Sequence, residues 1–576
     1  MAKFFYWVVL LIVLILQIVA GEIRNVGWWK NAVFYQIYPR SFQDDNDDGI
    51  GDLIGITKRL DHFKDAGIDA IWLSPIYASP MVDFGYDISD FKQIHPNYGT
   101  EADFEMLIAR TKQLGIKVIM DLVPNHTSDE HEWFQKSLNN NDTYKDYYIW
   151  KDKPDNNRTI NNWISVFGGS PWTCTSRRTQ CYFHQFHYKQ PDLNFRNADV
   201  REAMKDVIKF WLDKGIDGFR IDAVPHLYED ETLPDEPRTN AINVTDSEYA
   251  YLDHVYTKDQ PETYDLVASW RKILDDYANS TNSDEKVMMT EAYTTLKNTT
   301  KFYSFGSHVP FNFFFITGAN QYSSPHQFKS IIDAWLNETA LTEGAIANWV
   351  MGNHDRPRTE SRYPGRGDQM TMLAMILPGV TVTYYGEEIG MIDKTDITYE
   401  ETQDPAGCSA GRDKYKEKSR DPNRTPMQWD NSTNAGFNWG TSPWIPVHEN
   451  YSMLNLAAQK AAKYSHYKIY QKLIRLKKTK AALMTGQTQV LASNDGKSLS
   501  VIRSTDSEVV ILIINFSNTE TVTVNVLDQV PTLAAAAGLV EAATLGSPIK
   551  EGSTVNLRKV PIAAKQSLVL SAKNKK

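Results

Sequence analysis

Lys117–Val123 reads KVIMDLV, an apolar run broken by one acid, and it follows a stretch of helical pattern at Glu101–Leu114. Such a run is what a strand buried on both faces of a sheet requires. The same unit recurs on either side. Ala32–Tyr38 (AVFYQIY) and Asp69–Ser74 (DAIWLS) precede it, with the helical stretch Ile56–Ala66 between them. Gly218–Val224 (GFRIDAV), Val287–Thr290 (VMMT), Phe311–Phe315, Ala347–Met351 and Val380–Tyr385 (VTVTYY) follow. Eight strand-like runs alternating with helical patterns predict an α/β fold, a (β/α)8 TIM barrel.

More than 90 residues separate the third and fourth runs, too many for one crossover. The part from 125 to 194 is rich in Asn, Trp, Tyr and Gly and reads as an inserted subdomain, leaving 22–124 and 195–485 for the barrel. A polar region to about Asn450 leads into an amphipathic helical stretch, Lys463–Leu483. The pattern then changes to period two at Leu499–Arg503, Val509–Asn515 and Thr521–Val526. That predicts a C-terminal antiparallel β-sandwich domain over 486–576.

The chain has 576 residues, 42% of them hydrophobic and 23% charged, which is enough for a large core and excludes a disordered or low-complexity protein. Its net charge of −10 leaves no excess of Lys and Arg to neutralise phosphates, so nucleic acid is not the expected partner. Aromatic residues make up 12%, which suits either a large aromatic core or stacking on sugar rings. Met1-Ala2-Lys3, the apolar run Phe4–Leu16 and the closing Ala20-Gly21 match a secretory signal peptide over 1–21, the rival being a retained signal anchor. Asn-x-Ser/Thr sequons at Asn141, Asn157, Asn243, Asn279, Asn298, Asn337, Asn431, Asn450 and Asn515 favour a glycosylated, secreted chain with no stable membrane anchor. Cys174 and Cys181 lie in a polar loop and can form a local disulfide in an oxidising compartment, leaving Cys408 as a buried free thiol.

Strand ends in a barrel point into one face. Here they carry Asp121 followed by Asn125-His126, then Arg220 and Asp222, then Glu291, then Asn353-His354-Asp355. One such acid is an ordinary loop cap, but four at four strand ends make a cavity. No Gly-x-Ser-x-Gly elbow is present for a serine nucleophile, and two separate His make a poor zinc site. Glycosidic cleavage does need paired carboxyl groups with opposite tasks. Asp222 sits two residues from Arg220, on one face of a strand, where a guanidinium keeps it ionised. Glu291 has no cation adjacent in sequence and is the candidate for a raised pKa.

DLVPNH (Asp121–His126), GFRIDAV, TEAY around Glu291 and GNHD (Gly352–Asp355) together resemble four signature regions of glycoside hydrolase family 13, the α-amylase family. QPDLN (Gln190–Asn194) and GVTVTYYGEEIG (Gly379–Gly390) resemble two more, the first typical of its α-glucosidase branch. The resemblance covers nearly the whole chain after the apolar leader and closely follows secreted insect maltases. It implies a retaining mechanism with Asp222 as nucleophile, Glu291 as acid/base and Asp355 stabilising the transition state. It implies that His126 and His354 bond the same glucose and that Arg220 holds the nucleophile. Tyr86-Asp87 resembles the stacking tyrosine and the acid facing the non-reducing end, with Arg420 pairing that acid and closing an exo-acting pocket. Ala223 resembles enzymes preferring α-1,4 links. Asn125, formally a sequon, is expected to be buried.

Asp44-Asp45-Asn46-Asp47-Asp48-Gly49-Ile50-Gly51-Asp52 alternates oxygen-bearing side chains before a glycine, suited to a hard cation or simply to a solvated acidic turn. The resemblance implies a structural Ca²⁺ held by Asp44, Asn46, Asp48, Asp52 and the Ile50 carbonyl, with no organic cofactor. The expected activity is that of an α-glucosidase on maltose, sucrose and short malto-oligosaccharides. The alternative is a silent relative serving as a binding or transporter-escort protein, and the retained Asp222, Glu291 and Asp355 speak against it.

Overall fold

The computed structural model describes residues 22–155 and 159–575. The leader at 1–21 and Asn157 lie outside the described residues. Among the described residues, no helix is long and apolar enough to cross a membrane.

Eight parallel strands build the barrel: β1 (Val33–Ile37), β2 (Ala70–Leu73), β3 (Lys117–Leu122), β4 (Gly218–Ile221), β5 (Val287–Thr290), β6 (Val309–Pro310), β7 (Asn348–Val350) and β8 (Val380–Tyr384). Their hydrogen-bonded order is β6-β5-β4-β3-β2-β1-β8-β7, so sequence neighbours are spatial neighbours except at the β8–β1 closure and the β6–β7 seam. Period-two alternation sorts the side chains. Phe34, Trp72, Ile119, Met289, Val350 and Val382 pack inside the barrel. Tyr35, Ile71, Met120, Phe219 and Met288 pack outward against the helices. Continuing the inward parity one step along each strand reaches Gln36, Asp121, Asp222 and Glu291 at the C-terminal face.

The expected sixth strand, Phe311–Phe315, is displaced: β6 ends at Pro310, and Phe314–Thr317 is a short helix. The aromatic run is apolar because Phe311 and Phe313 plug the barrel interior, not because it is paired in the sheet. Pro310 has no N–H to give to a ladder. The β6–β7 gap is bridged instead by the Asn348 side chain. Its Nδ2 donates to the Pro310 carbonyl at 2.6 Å, and its Oδ1 accepts from the Asn312 N–H at 2.8 Å.

Between β3 and β4 a three-stranded antiparallel sheet forms from Trp150–Asp152, Trp172–Cys174 and Gln180–Phe183. Cys174 and Cys181 face each other in that sheet and are joined by a disulfide. After the helix His466–Thr479 comes a six-stranded antiparallel sheet with a two-stranded companion. Its central strand Glu508–Asn515 (EVVILIIN) is apolar from Val509 to Ile514 because both faces are covered. Val509, Ile511 and Ile513 face the domain's own core, and Val510, Leu512 and Ile514 face the barrel side.

Two expectations fail at single residues. Cys408 is exposed rather than buried, on the short helix Pro405–Ala410. Asn515 is fully buried at the end of its strand, its amide donating to the carbonyls of Glu520, Ile562 and Ala563, so it cannot present a glycan. Asn141, Asn243, Asn279, Asn337 and Asn431 are exposed, and Asn298 and Asn450 are half-buried.

Candidate active site

The strand ends converge on a cavity of about 490 Å³ lined by Tyr86, His126, Asp222, Glu291, His354 and Asp355, among others. Arg220, buried on β4, organises the acids. It donates to Asp222 Oδ1 and to Asp121 Oδ1, the latter at 2.9 Å, while its other terminal nitrogen lies 3.8 Å from Glu291 Oε2. Glu291 therefore does have a cation nearby, one that primary sequence spacing does not reveal. Asp121 is held in turn by Trp72 Nε1 and the Tyr86 hydroxyl, each at 3.2 Å.

Ala223, next after Asp222, takes a left-handed backbone with φ of 48°. That costly turn aims its N–H at Glu291 Oε2, 2.7 Å away. The two carboxyl groups are thus fixed to one another through a single peptide. Burial pushes Asp222 up to about 6, against the pull of Arg220. Burial pushes Glu291 up to about 8, and Arg220 only partly offsets this because Asp222 and Asp355 add repulsion. Near pH 7 Asp222 is ionised and Glu291 holds its proton.

Asp355 behaves oppositely. Burial raises it, but the charges of Arg420 and Arg424 outweigh that and hold it well below the usual carboxylate range. Its Oδ1 accepts from Arg420 at 3.1 Å and Arg424 at 3.2 Å. Burial keeps His354 neutral, down to about 3, so the two arginines carry the positive charge here. Gln36 Nε2 donates to His354 Nδ1 at 2.7 Å, which leaves the ring proton on Nε2, 3.5 Å from Asp355. Tyr86 stacks on the His354 ring, 5.3 Å between centroids. His126 lines the cavity too. Asn125 donates to its Nδ1, and its Nε2 donates to the Tyr86 carbonyl at 3.0 Å. Asn125 is buried, as expected.

The acid paired with Arg420 is Asp83, not Asp87. Arg420 Nη2 donates to Asp83 Oδ1 at 2.8 Å. Asp87 is instead a structural residue: its carboxylate accepts the N–H groups of Val82 and Asp83 and the Ser79 hydroxyl, at 2.8–2.9 Å. Arg420 also forks onto Asp404, which sequence reasoning missed together with Asp83 and Arg424. Phe167, from the inserted region, lies against Arg420, 5.8 Å from its guanidinium carbon. Elements from the β2 loop, the insertion and the 391–450 region therefore meet at one end of the cavity.

The acidic loop after β1 is tied by its own side chains. Asp44 accepts the N–H groups of Asp47 and Gly49, Asn46 that of Asp48, Asp48 that of Ile50, and Asp52 those of Gly55 and Asp45. Among the described residues, no three Asp, Glu, His or Cys side chains converge as a ready metal site.

Comparison with known proteins agrees with the geometry. A family model described as the α-amylase catalytic domain matches residues 36–486. Maltase 1 of Drosophila virilis is 53% identical over 79% of this chain and 73% of its own length, and the α-glucosidase of Apis mellifera is 46% identical over 85% and 86%. The human amino acid transporter heavy chain SLC3A1 is 38% identical over 88% of this chain and 73% of its own. Among solved structures, a mutant isomaltulose synthase from Erwinia rhapontici in complex with sucrose superposes with a TM-score of 0.83 at 31% identity, covering 96% of this chain and all of that one. With the acids at the strand ends and the match spanning the barrel, the chain belongs to the α-amylase catalytic-domain family of glycoside hydrolases.

Proposed function

We propose that this protein is a secreted, exo-acting, retaining α-glucosidase that removes terminal α-1,4-linked glucose from maltose, sucrose and short malto-oligosaccharides. The observation that carries this reading is the division of labour between Asp222 and Glu291, one ionised against Arg220 and the other protonated beside it. In the first step an Asp222 oxygen attacks the anomeric carbon, the glycosidic C–O bond breaks, and Glu291 gives its proton to the leaving oxygen. In the second step Glu291, now a carboxylate, takes a proton from water. The water oxygen bonds to the anomeric carbon and the glucosyl ester on Asp222 is released. Arg220 stabilises the carboxylate at both ends of the cycle, and the always-ionised Asp355 binds ring hydroxyls and the positive charge that develops.

Closure by Arg420, Asp83 and Asp404 supports exo action, because a chain cannot thread past that end. Ala223 supports the α-1,4 preference. The disulfide, the exposed sequons and relatives named salivary α-glucosidase support secretion. We place a structural Ca²⁺ in the same reading, held by Asp44, Asn46, Asp48, Asp52 and the Ile50 carbonyl. The donors are all hard oxygens, and burial together with Asp45 and Asp44 raises the Asp52 pKa, a repulsion that a cation relieves.

The deciding experiment is glucose release from maltose, isomaltose and sucrose by purified protein beside its Glu291→Gln variant. Fast release from maltose, slow release from isomaltose and loss of both in the variant are expected. Folded protein that releases no glucose from any of the three rejects the assignment.

A further inference from the structure

Asp83 stands in a strained stretch of backbone. Met81 before it and Phe84 after it both take left-handed conformations, with φ of 63° and 45°. Each is costly for a residue with a side chain, and such an outlier persists only where surrounding contacts over-determine it. One support lies inside the loop, where the Asp87 carboxylate accepts the N–H groups of Val82 and Asp83. A second comes from outside it. The Phe84 ring packs against Trp444, 4.9 Å between centroids, and the Arg40 guanidinium carbon lies 4.9 Å from the centre of each ring. Arg40 Nη1 also reaches the Met81 sulfur at 3.9 Å, so one guanidinium touches both left-handed residues. Its Nε is buried with no hydrogen-bond partner, so this cation is held by aromatic faces more than by bonds. Trp444 is anchored in turn on the β1 side. Its backbone N–H donates to the Gly49 carbonyl at 2.9 Å and its indole Nε1 to Ser41 Oγ at 3.0 Å. Asp83 lines the catalytic cavity, and Arg40, Phe84 and Trp444 do not.

We propose that Trp444 and Arg40 are positioning residues for substrate recognition: their clamp on Phe84 and Met81 holds the strained turn that aims Asp83 into the pocket. The inference rests on the glucosidase reading, with Asp83 receiving a hydroxyl of the terminal glucose. Without the clamp the turn relaxes toward ordinary backbone, and Asp83 leaves its place with its carboxylate intact. Arg420 does not hold that acid alone, because the same guanidinium also serves Asp404 and Asp355. Affinity for the sugar is thus set in part by a side chain that never meets it.

The test is a mutant cycle in the full-length protein: Trp444→Leu, Asp83→Ala and the pair, with Trp444→Phe as the conservative variant. Trp444→Leu raises KM for maltose about tenfold and leaves kcat within about twofold, since a grip on the sugar is lost while Asp222 and Glu291 are untouched. In the Asp83→Ala background the same change costs no more than about twofold, because the residue it acts through is gone. Trp444→Phe keeps an aromatic face for Phe84 and Arg40, and its KM returns to within about threefold of the parent. Equal losses from Trp444→Leu with and without Asp83 overturn the proposal. So does an unchanged KM in folded Trp444→Leu protein, whatever its melting temperature. If Trp444→Leu does not fold, Phe84→Leu takes its place in the cycle, keeping an apolar side chain but offering Trp444 and Arg40 no ring. If the parent releases no glucose from maltose, the glucosidase reading fails first. The same cycle read as calorimetric affinity for glucose then decides the clamp by itself: losses that vanish without Asp83 uphold it, and additive or absent losses reject it.

Discussion

Asp83→Ala takes one carboxylate from the end of the pocket and leaves its arginine with two others. Arg420 retains Asp404 and Asp355, so its position and the fold are expected to survive. Asp83 Oδ1 is occupied by Arg420 at 2.8 Å, but Oδ2 receives only a long contact from Gln190 at 3.4 Å. That oxygen is the one with capacity for a hydroxyl of the terminal glucose. A hydrogen bond to a charged group contributes about 1.5–3 kcal/mol, and each 1.4 kcal/mol is about tenfold. The kcat/KM for maltose is therefore expected to fall about 10- to 150-fold, with a melting temperature close to that of the parent. Asp87→Ala gives the opposite pattern. It strips the N–H groups of Val82 and Asp83 of their acceptor, so its first effect is a melting temperature lower by a few degrees. Steady-state kinetics on maltose beside a thermal melt separates the two. A folded Asp83→Ala protein that keeps kcat/KM within about threefold of the parent refutes the assignment of that acid to substrate.

Three further outcomes are expected. Plots of kcat/KM against pH are bell-shaped: activity is lost as pH falls through about 6, where Asp222 protonates, and as pH rises through about 8, where Glu291 ionises. A profile that stays flat over about two pH units either side of neutrality would contradict those roles. Chelation lowers the melting temperature more than it lowers activity at low temperature, and Ca²⁺ restores it; superimposable melts with and without chelator remove calcium from the loop. Asn515→Gln lowers stability by about 1–3 kcal/mol through its buried amide bonds, and intact-mass analysis of the parent finds no glycan there.

The barrel and its acids were legible because two simple periods coincide. Parity along a strand is rigid, so Arg220 and Asp222, two apart, had to share a face, and Asp121 and Glu291 had to end their strands in the same cavity. That rigidity stops at the strand end. Between Asp83 and Asp87 the chain passes through left-handed residues at Phe84 and Gly85, so spacing no longer tells which acid faces inward. Sequence adjacency to Tyr86 favours Asp87, whereas the loop geometry presents Asp83 to Arg420. Asp404 and Arg424 come from the long region after β8, where no periodic signal exists to place them. Phe311–Phe315 misled for another reason. An apolar run signals burial, and burial inside a barrel does not require a place in its ladder.

The β6–β7 seam bears on how this barrel yields. Elsewhere the wall is a continuous hydrogen-bonded ladder, but here one side-chain amide acts as a substitute peptide unit, donating across to Pro310 and accepting from Asn312. The wall therefore has a line of weakness, and it runs between the segment descending from Glu291 and the segment rising to Asp355. Amide protons of β7 are expected to exchange with solvent ahead of those in β3 and β4. The same line gives the two halves of the catalytic set a place to part slightly and close again, without unzipping any strand pair.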